Sequence, residues 1–154
     1  MYVGRSQSGE ARGVSKGGEA VDRETMAVAK ASYDRCCTVP RFFEDFYSTF
    51  FARCPPAKPM FERTDFERQR KLLRHAFGLL LIFPKQPAGE PTILARVAER
   101  HSRRELGVDP SLYHPFIDAL IDTVRRCDPD FTPAVEDAWR RTVRRGVEYM
   151  QAKY

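Results

Sequence analysis

From residue 24 onward the apolar positions recur at intervals of three and four, with no sustained alternation of period two, so the pattern predicts helices almost throughout. A first helix fits residues 23–36, RETMAVAKASYDRC. A second fits 40–54, where Phe43, Phe46, Phe50 and Cys54 form one stripe with Tyr47 beside it and Pro40 opens the first turn. The run PPAKPMF then breaks the chain. A long helix over 64–83, capped by Thr64 or Asp65, places Phe66, Gln69, Leu73, Ala76, Phe77 and Leu80 on one face. After the loop PKQPAGEP, a helix is predicted over 92–106, with Thr92 as its cap and Gly107 as its stop. Segments 109–128 and 132–154 complete the set, with Pro110 and Pro133 just inside their starts. The expected fold class is all-α around one core. Residues 1–23 are rich in Gly, Ser and charge and lack periodicity; they are expected to be a disordered tail, leaving 24–154 as the folded domain.

Composition changes this picture little. The 154 residues are 42% hydrophobic and 31% charged, ordinary for a globular domain. The net charge of +5 raises the question of a nucleic-acid partner. However, the arginines come as scattered pairs (Arg103-Arg104, Arg125-Arg126, Arg140-Arg141, Arg144-Arg145) with acids between them, which reads as solvated helix faces. No nucleic acid is therefore expected. The longest apolar run, FGLLLIF, is far short of a membrane span, and the N-terminal stretch lacks the apolar core of a signal peptide, so a cytoplasmic protein is expected. Cys36, Cys37, Cys54 and Cys127 form no paired zinc pattern and read as reduced thiols.

The candidate chemistry centres on AERHSRRELG, residues 98–107. Ile93, Val97 and His101 share the apolar stripe of their helix, while Arg96, Arg100, Arg103 and Arg104 take the other side. His75, His101 and His114 fall on separate predicted helices, with no HxxxH or HxxE pairing, so they form no metal cluster. There is no Gly-rich phosphate loop. On the residues alone, His101 is open to two readings: a core histidine bonded to a carbonyl, or the ligand of a cofactor. Haem needs only one such histidine, because the macrocycle supplies four nitrogens itself. Eleven phenylalanines could wall an apolar slot, and Tyr47 and Gln69 are polar positions on otherwise apolar stripes.

Four segments, in order, carry a resemblance: FYSTFFARCPPAKPMF, TDFERQRKLLRH, AERHSRRELGVDPSLYHPFIDALIDTV and DPDFTPAVEDAWRRTVRRGVEYMQAKY. From about Ser32 to Tyr154 the chain resembles the bacterial single-domain globins related to the flavohaemoglobin lineage. The resemblance implies a globin-like fold around one pocket holding five-coordinate haem b, with His101 as the proximal iron ligand. It places Phe61 and Leu73 on the haem and over the ligand site, and Val97, Val108 and Phe116 on the proximal wall. Tyr113 would help to orient His101, and Tyr47 and Gln69 would donate hydrogen bonds to dioxygen. The last-helix glutamate of flavohaemoglobins falls near Tyr154, a departure. Lys71, Arg74 and Arg104 are the candidate propionate partners. The implied function is reversible binding of dioxygen and other diatomic gases, for transport or storage, by a monomer or homodimer that needs neither nucleic acid nor membrane. Nitric oxide dioxygenation with a separate reductase is the enzymatic alternative. Gas sensing is a third, and would act through a partner because no transmitter domain is expected here.

Overall fold

The structure, a computed structural model, describes residues 20–154; the tail expected over 1–23 lies almost wholly outside them. Among the described residues the chain forms six α-helices and three short 3-10 segments, with no strand. These helices are α1 (Arg23–Cys37), α2 (Phe42–Arg53), α3 (Phe66–Ile82), α4 (Ala95–His101), α5 (Tyr113–Cys127) and α6 (Pro133–Ala152). The all-α class follows from the sequence periodicity: α2 and α3 bury Phe42, Phe43, Phe46, Tyr47, Phe50, Leu73, Phe77, Leu80 and Leu81 at intervals of three and four.

Local chemistry sets the helix ends. Asp22 accepts from Thr25 N at 2.7 Å to start α1, and Asp65, rather than Thr64, accepts from Glu67 N at 3.1 Å to start α3. Thr132 caps α6 ahead of Pro133. PPAKPMF does not simply break the chain: Pro55–Phe61 winds into a 3-10 helix that carries Phe61 toward Tyr47. Pro110–Leu112 forms a second such turn before α5, with Asp109 accepting from Ser111 N.

The fourth helix departs most from expectation. It spans Ala95–His101 rather than 92–106, and Thr92 accepts from Leu94 N in the turn before it. Ser102 ends it. Its amide and hydroxyl both donate to Glu99 O, at 3.1 and 2.6 Å, and its backbone turns extended. Gly107 therefore closes a loop, not a helix. At φ +59° it lets Gly107 N reach Ser102 O and Val108 N reach His101 O.

Helix α2 packs on α5, α1 packs on α6 and α5, and α3 packs on α6. Tyr33 on α1 donates to Arg74 O on α3 at 2.8 Å. At the far corner, the fully buried Ser32 donates to Asp128 at 2.6 Å and accepts from Trp139 Nε1 at 2.9 Å, joining α1 to α6 and to the end of α5. The four cysteines are free thiols, and burial pushes Cys36 up to about 12.

Candidate functional site

Between α2, α3 and the Pro55–Phe61 turn on one side, and α4, α5 and α6 on the other, lies a cavity of about 430 Å³. That volume is in the range of cofactor pockets. The residues that the resemblance assigns to the haem and its ligand line it: Tyr47, Phe61, Gln69, Leu73, Val97, His101, Val108, Tyr113 and Phe116.

His101 is the last residue of α4, so its backbone belongs to a helical turn while its ring enters the cavity. Its Nδ1 lies 2.7 Å from Val97 O. A carbonyl only accepts, so Nδ1 carries the hydrogen and Nε2 keeps its lone pair. Burial holds the imidazole below its ordinary pKa, an effect the Val97 bond opposes and the adjacent Arg100 charge reinforces. At neutral pH His101 is a neutral ring with one fixed hydrogen and one available nitrogen, which is how metal-bound histidines are commonly held.

Tyr47 is 5% exposed and packs edge to face against Phe46 and Phe66. Burial pushes its phenol up to about 12, with Gln69 pulling the other way, so it stays an O–H donor at physiological pH. Gln69 Nε2 donates to Tyr47 Oη at 3.1 Å. The Tyr47 hydroxyl makes no other hydrogen bond among the described residues, which leaves its proton for something in the cavity. The two residues are 22 apart in sequence and meet because α2 and α3 cross at this wall.

Three expectations need revision. Tyr113 makes no hydrogen bond to His101: the i−4 carbonyl of Val97 takes the Nδ1 hydrogen, and the Tyr113 hydroxyl has no partner among the described residues. Its phenol is pushed up to about 12 by burial. Lys71, Arg74 and Arg104 do not line the cavity. Lys71 reaches Glu67 at 3.8 Å, Arg74 sits 5.0 Å over the Phe43 ring, and Arg104 borders a separate polar hollow with Glu90, Lys153 and Tyr154. The polar side chains at the cavity are instead Thr64, His75 and Arg100. Periodicity had put Arg100 on the wet face; the end of the helix at His101 removes the next turn, and the side chain borders the cavity. Leu94, just before α4, and Val147 and Met150 on α6 close the cavity, which no motif signalled.

No three His, Cys, Asp or Glu side chains among the described residues are placed to hold a metal ion by themselves. No helix among them is long and apolar enough to cross a membrane.

The globin family model matches residues 44–150. A crystal structure from Pseudomonas aeruginosa, of a protein described as structurally highly homologous to a human haemoglobin, is 32% identical. It superimposes with a TM-score of 0.79, and the match covers 84% of this chain and 98% of that one. No curated protein sequence matches. With the match spanning the helices that build the cavity, the chain belongs to the globin family.

Proposed function

We propose that the protein holds haem b through His101 and binds dioxygen reversibly, with Tyr47 and Gln69 as the hydrogen-bonding pair beside the ligand. The family implies haem, and the residues fit it. The donor set is a single neutral imidazole with Nε2 available, which suits an iron already held by four macrocycle nitrogens and would not hold a bare ion. Around that nitrogen the walls are apolar: Phe61, Leu73, Val97, Val108 and Phe116. Arg100 and His75 are the side chains at the cavity suited to propionates.

Haem, when bound, supplies the iron at which a diatomic gas binds. The chain supplies the selectivity. The Tyr47 hydroxyl is a buried donor in a largely apolar pocket, and Gln69 holds its oxygen in place. A hydrogen bond to a partly charged acceptor contributes about 1.5–3 kcal/mol, so this pair favours dioxygen over carbon monoxide, which carries less charge. The same pair supports a five-coordinate resting state. A phenol protonated up to about 12 and tied to an amide is a poor iron ligand at neutral pH.

The joint presence of an available His101 Nε2 and the Tyr47–Gln69 pair in one cavity carries this reading. Reconstitution of the purified chain with haemin should give a Soret band that His101→Ala abolishes or shifts strongly. No Soret band in the wild type, or one indifferent to His101→Ala, would overturn it.

A further inference from the structure

The cavity opens where the chain carries its net charge. The two segments that frame it, 55–76 and 95–113, hold ten Lys and Arg against six Asp and Glu, whereas the rest of the described chain holds thirteen of each. The pairing differs as well. Elsewhere most of the cations are neutralised, among them Arg35 by Asp128, Arg53 by Asp122, Arg125 by Asp122 and Glu136, and Arg140 by Asp118 and Glu136, although Arg23, Arg126, Arg144 and Arg145 make no ion pair among the described residues. In the two framing segments Lys58, Arg63, Arg68, Arg70 and Arg100 make no ion pair among the described residues, and Arg100 lines the cavity. Of the six acids there, Asp65 and Asp109 are used as backbone caps and Glu67 faces Lys71. Three of the most exposed large apolar side chains also lie at the opening, Met60 at 46%, Leu72 at 51% and Leu106 at 53%, and all three line the cavity.

We propose that this rim, Met60, Leu72 and Leu106 with the unpaired cations of the two framing segments, is the docking face for an acidic electron-carrier protein. The proposal rests on the haem reading above. An apolar patch inside a charged border is the form of a small, transient interface, in which charge sets orientation and on-rate and the apolar centre excludes water. A second copy of the chain is disfavoured, because the face would meet its own positive charge. The interspersed Glu62, Glu99 and Glu105 suit the discrete charges of a protein surface better than the uniform charge of nucleic acid. Docking there brings the donor to the open side of the cavity. The donor would give up one electron to ferric haem held by His101, with no proton or group transferred.

The test uses reduced flavodoxin, an acidic one-electron donor, as the probe. Its binding to both haem-free and haem-loaded full-length chain is measured by titration, and reduction of the loaded ferric protein by stopped flow. Binding and reduction rate should fall about tenfold or more between low and physiological salt. Arg63→Glu with Arg68→Glu should cause a similar loss at low salt. Arg144→Glu with Arg145→Glu, the same charge change on α6 away from the cavity, should have a several-fold smaller effect. A neutral photogenerated deazaflavin radical should reduce all variants alike. Salt-independent binding, or equal losses for the rim and α6 variants, would overturn the docking face. Salt-dependent binding to phosphatidylserine vesicles without flavodoxin binding would overturn it in favour of a membrane surface. Failure to take up haem would sink only the haem reading, because binding to the haem-free chain still reports on the face.

Discussion

Two polar clusters are buried in this molecule, and they are built to opposite ends. At the corner of α1, α5 and α6, Asp128 accepts from Arg35 Nε and Nη2 at 2.6 and 2.9 Å, from the Ser32 hydroxyl at 2.6 Å and from the Asp130 amide at 2.9 Å, while Trp139 donates to Ser32. The donors and acceptors there answer one another, and the corner has nothing left to offer a ligand. At the cavity, each polar group is satisfied on one side only. His101 is fixed through Nδ1 and keeps Nε2; Tyr47 accepts from Gln69 and keeps its proton. A closed network contributes stability and specifies packing, whereas a half-satisfied one lowers stability in exchange for binding capacity.

Breaking the closed cluster should have the largest effect on folding. Asp128→Ala strands Arg35 and the Ser32–Trp139 pair around a lost carboxylate whose side chain is fully buried. The expected cost is about 3 kcal/mol or more in urea unfolding, with the Soret band unchanged. The effect should depend on pH. Burial alone would raise the carboxyl pKa, but the bonds from Arg35, Ser32 and the Asp130 amide outweigh it and hold Asp128 below its ordinary 3.8. Its stabilisation is then complete above the unfolded value and lost as pH falls through the lower folded value. The stability gap between wild type and Asp128→Ala should be constant near neutrality and shrink below about pH 4. A gap unchanged at pH 2 would mean that the charge is not what the corner uses.

Touching the open cluster should invert this pattern. Tyr47→Phe removes a hydroxyl that the fold scarcely uses, so unfolding free energy should move by no more than about 1 kcal/mol. The dioxygen off-rate of the loaded protein should rise about tenfold or more, since each 1.4 kcal/mol of lost ligand bonding is a factor of ten. An unchanged off-rate in stopped flow would remove Tyr47 from the ligand site.

The two clusters were also unequally legible in the sequence. His101 could be read because an imidazole continues the stripe of Ile93 and Val97, and Tyr47 and Gln69 because each interrupts an apolar face. The helical pattern itself was plain for the same reason. Asp128 left no such trace. It sits in the turn CDPDF, and the partners that bury it lie 93 and 96 residues earlier. Helix α4 ends at His101, short of its periodic pattern, because Ser102 withdraws the chain through its own side chain, a competition that periodicity does not register. The same early end turns Arg100 toward the cavity. Lys71 and Arg74 were reasonable cations by position on α3, but a nearby carboxylate and an aromatic ring engage them, and only the packed structure shows that.

The smallest expected effect tests the loop that follows His101. Gly107 and Gly78 both have open space where a Cβ would go, so an added methyl meets no neighbour at either position. Only Gly107 has a positive φ, +59°. Alanine there should cost about 1 kcal/mol through backbone strain alone. Gly78→Ala, inside α3, should instead stabilise by about 0.5–1 kcal/mol, because alanine is the better helix former. The strain at Gly107 falls on the turn in which Val108 N reaches His101 O at 3.0 Å. Gly107→Ala should therefore weaken haem retention as well as folding, read as faster haem transfer to an apo-acceptor protein, while Gly78→Ala changes stability alone. Equal transfer rates for the two variants would show that the loop carries no strain to His101 and that the Val97 bond holds the ring by itself.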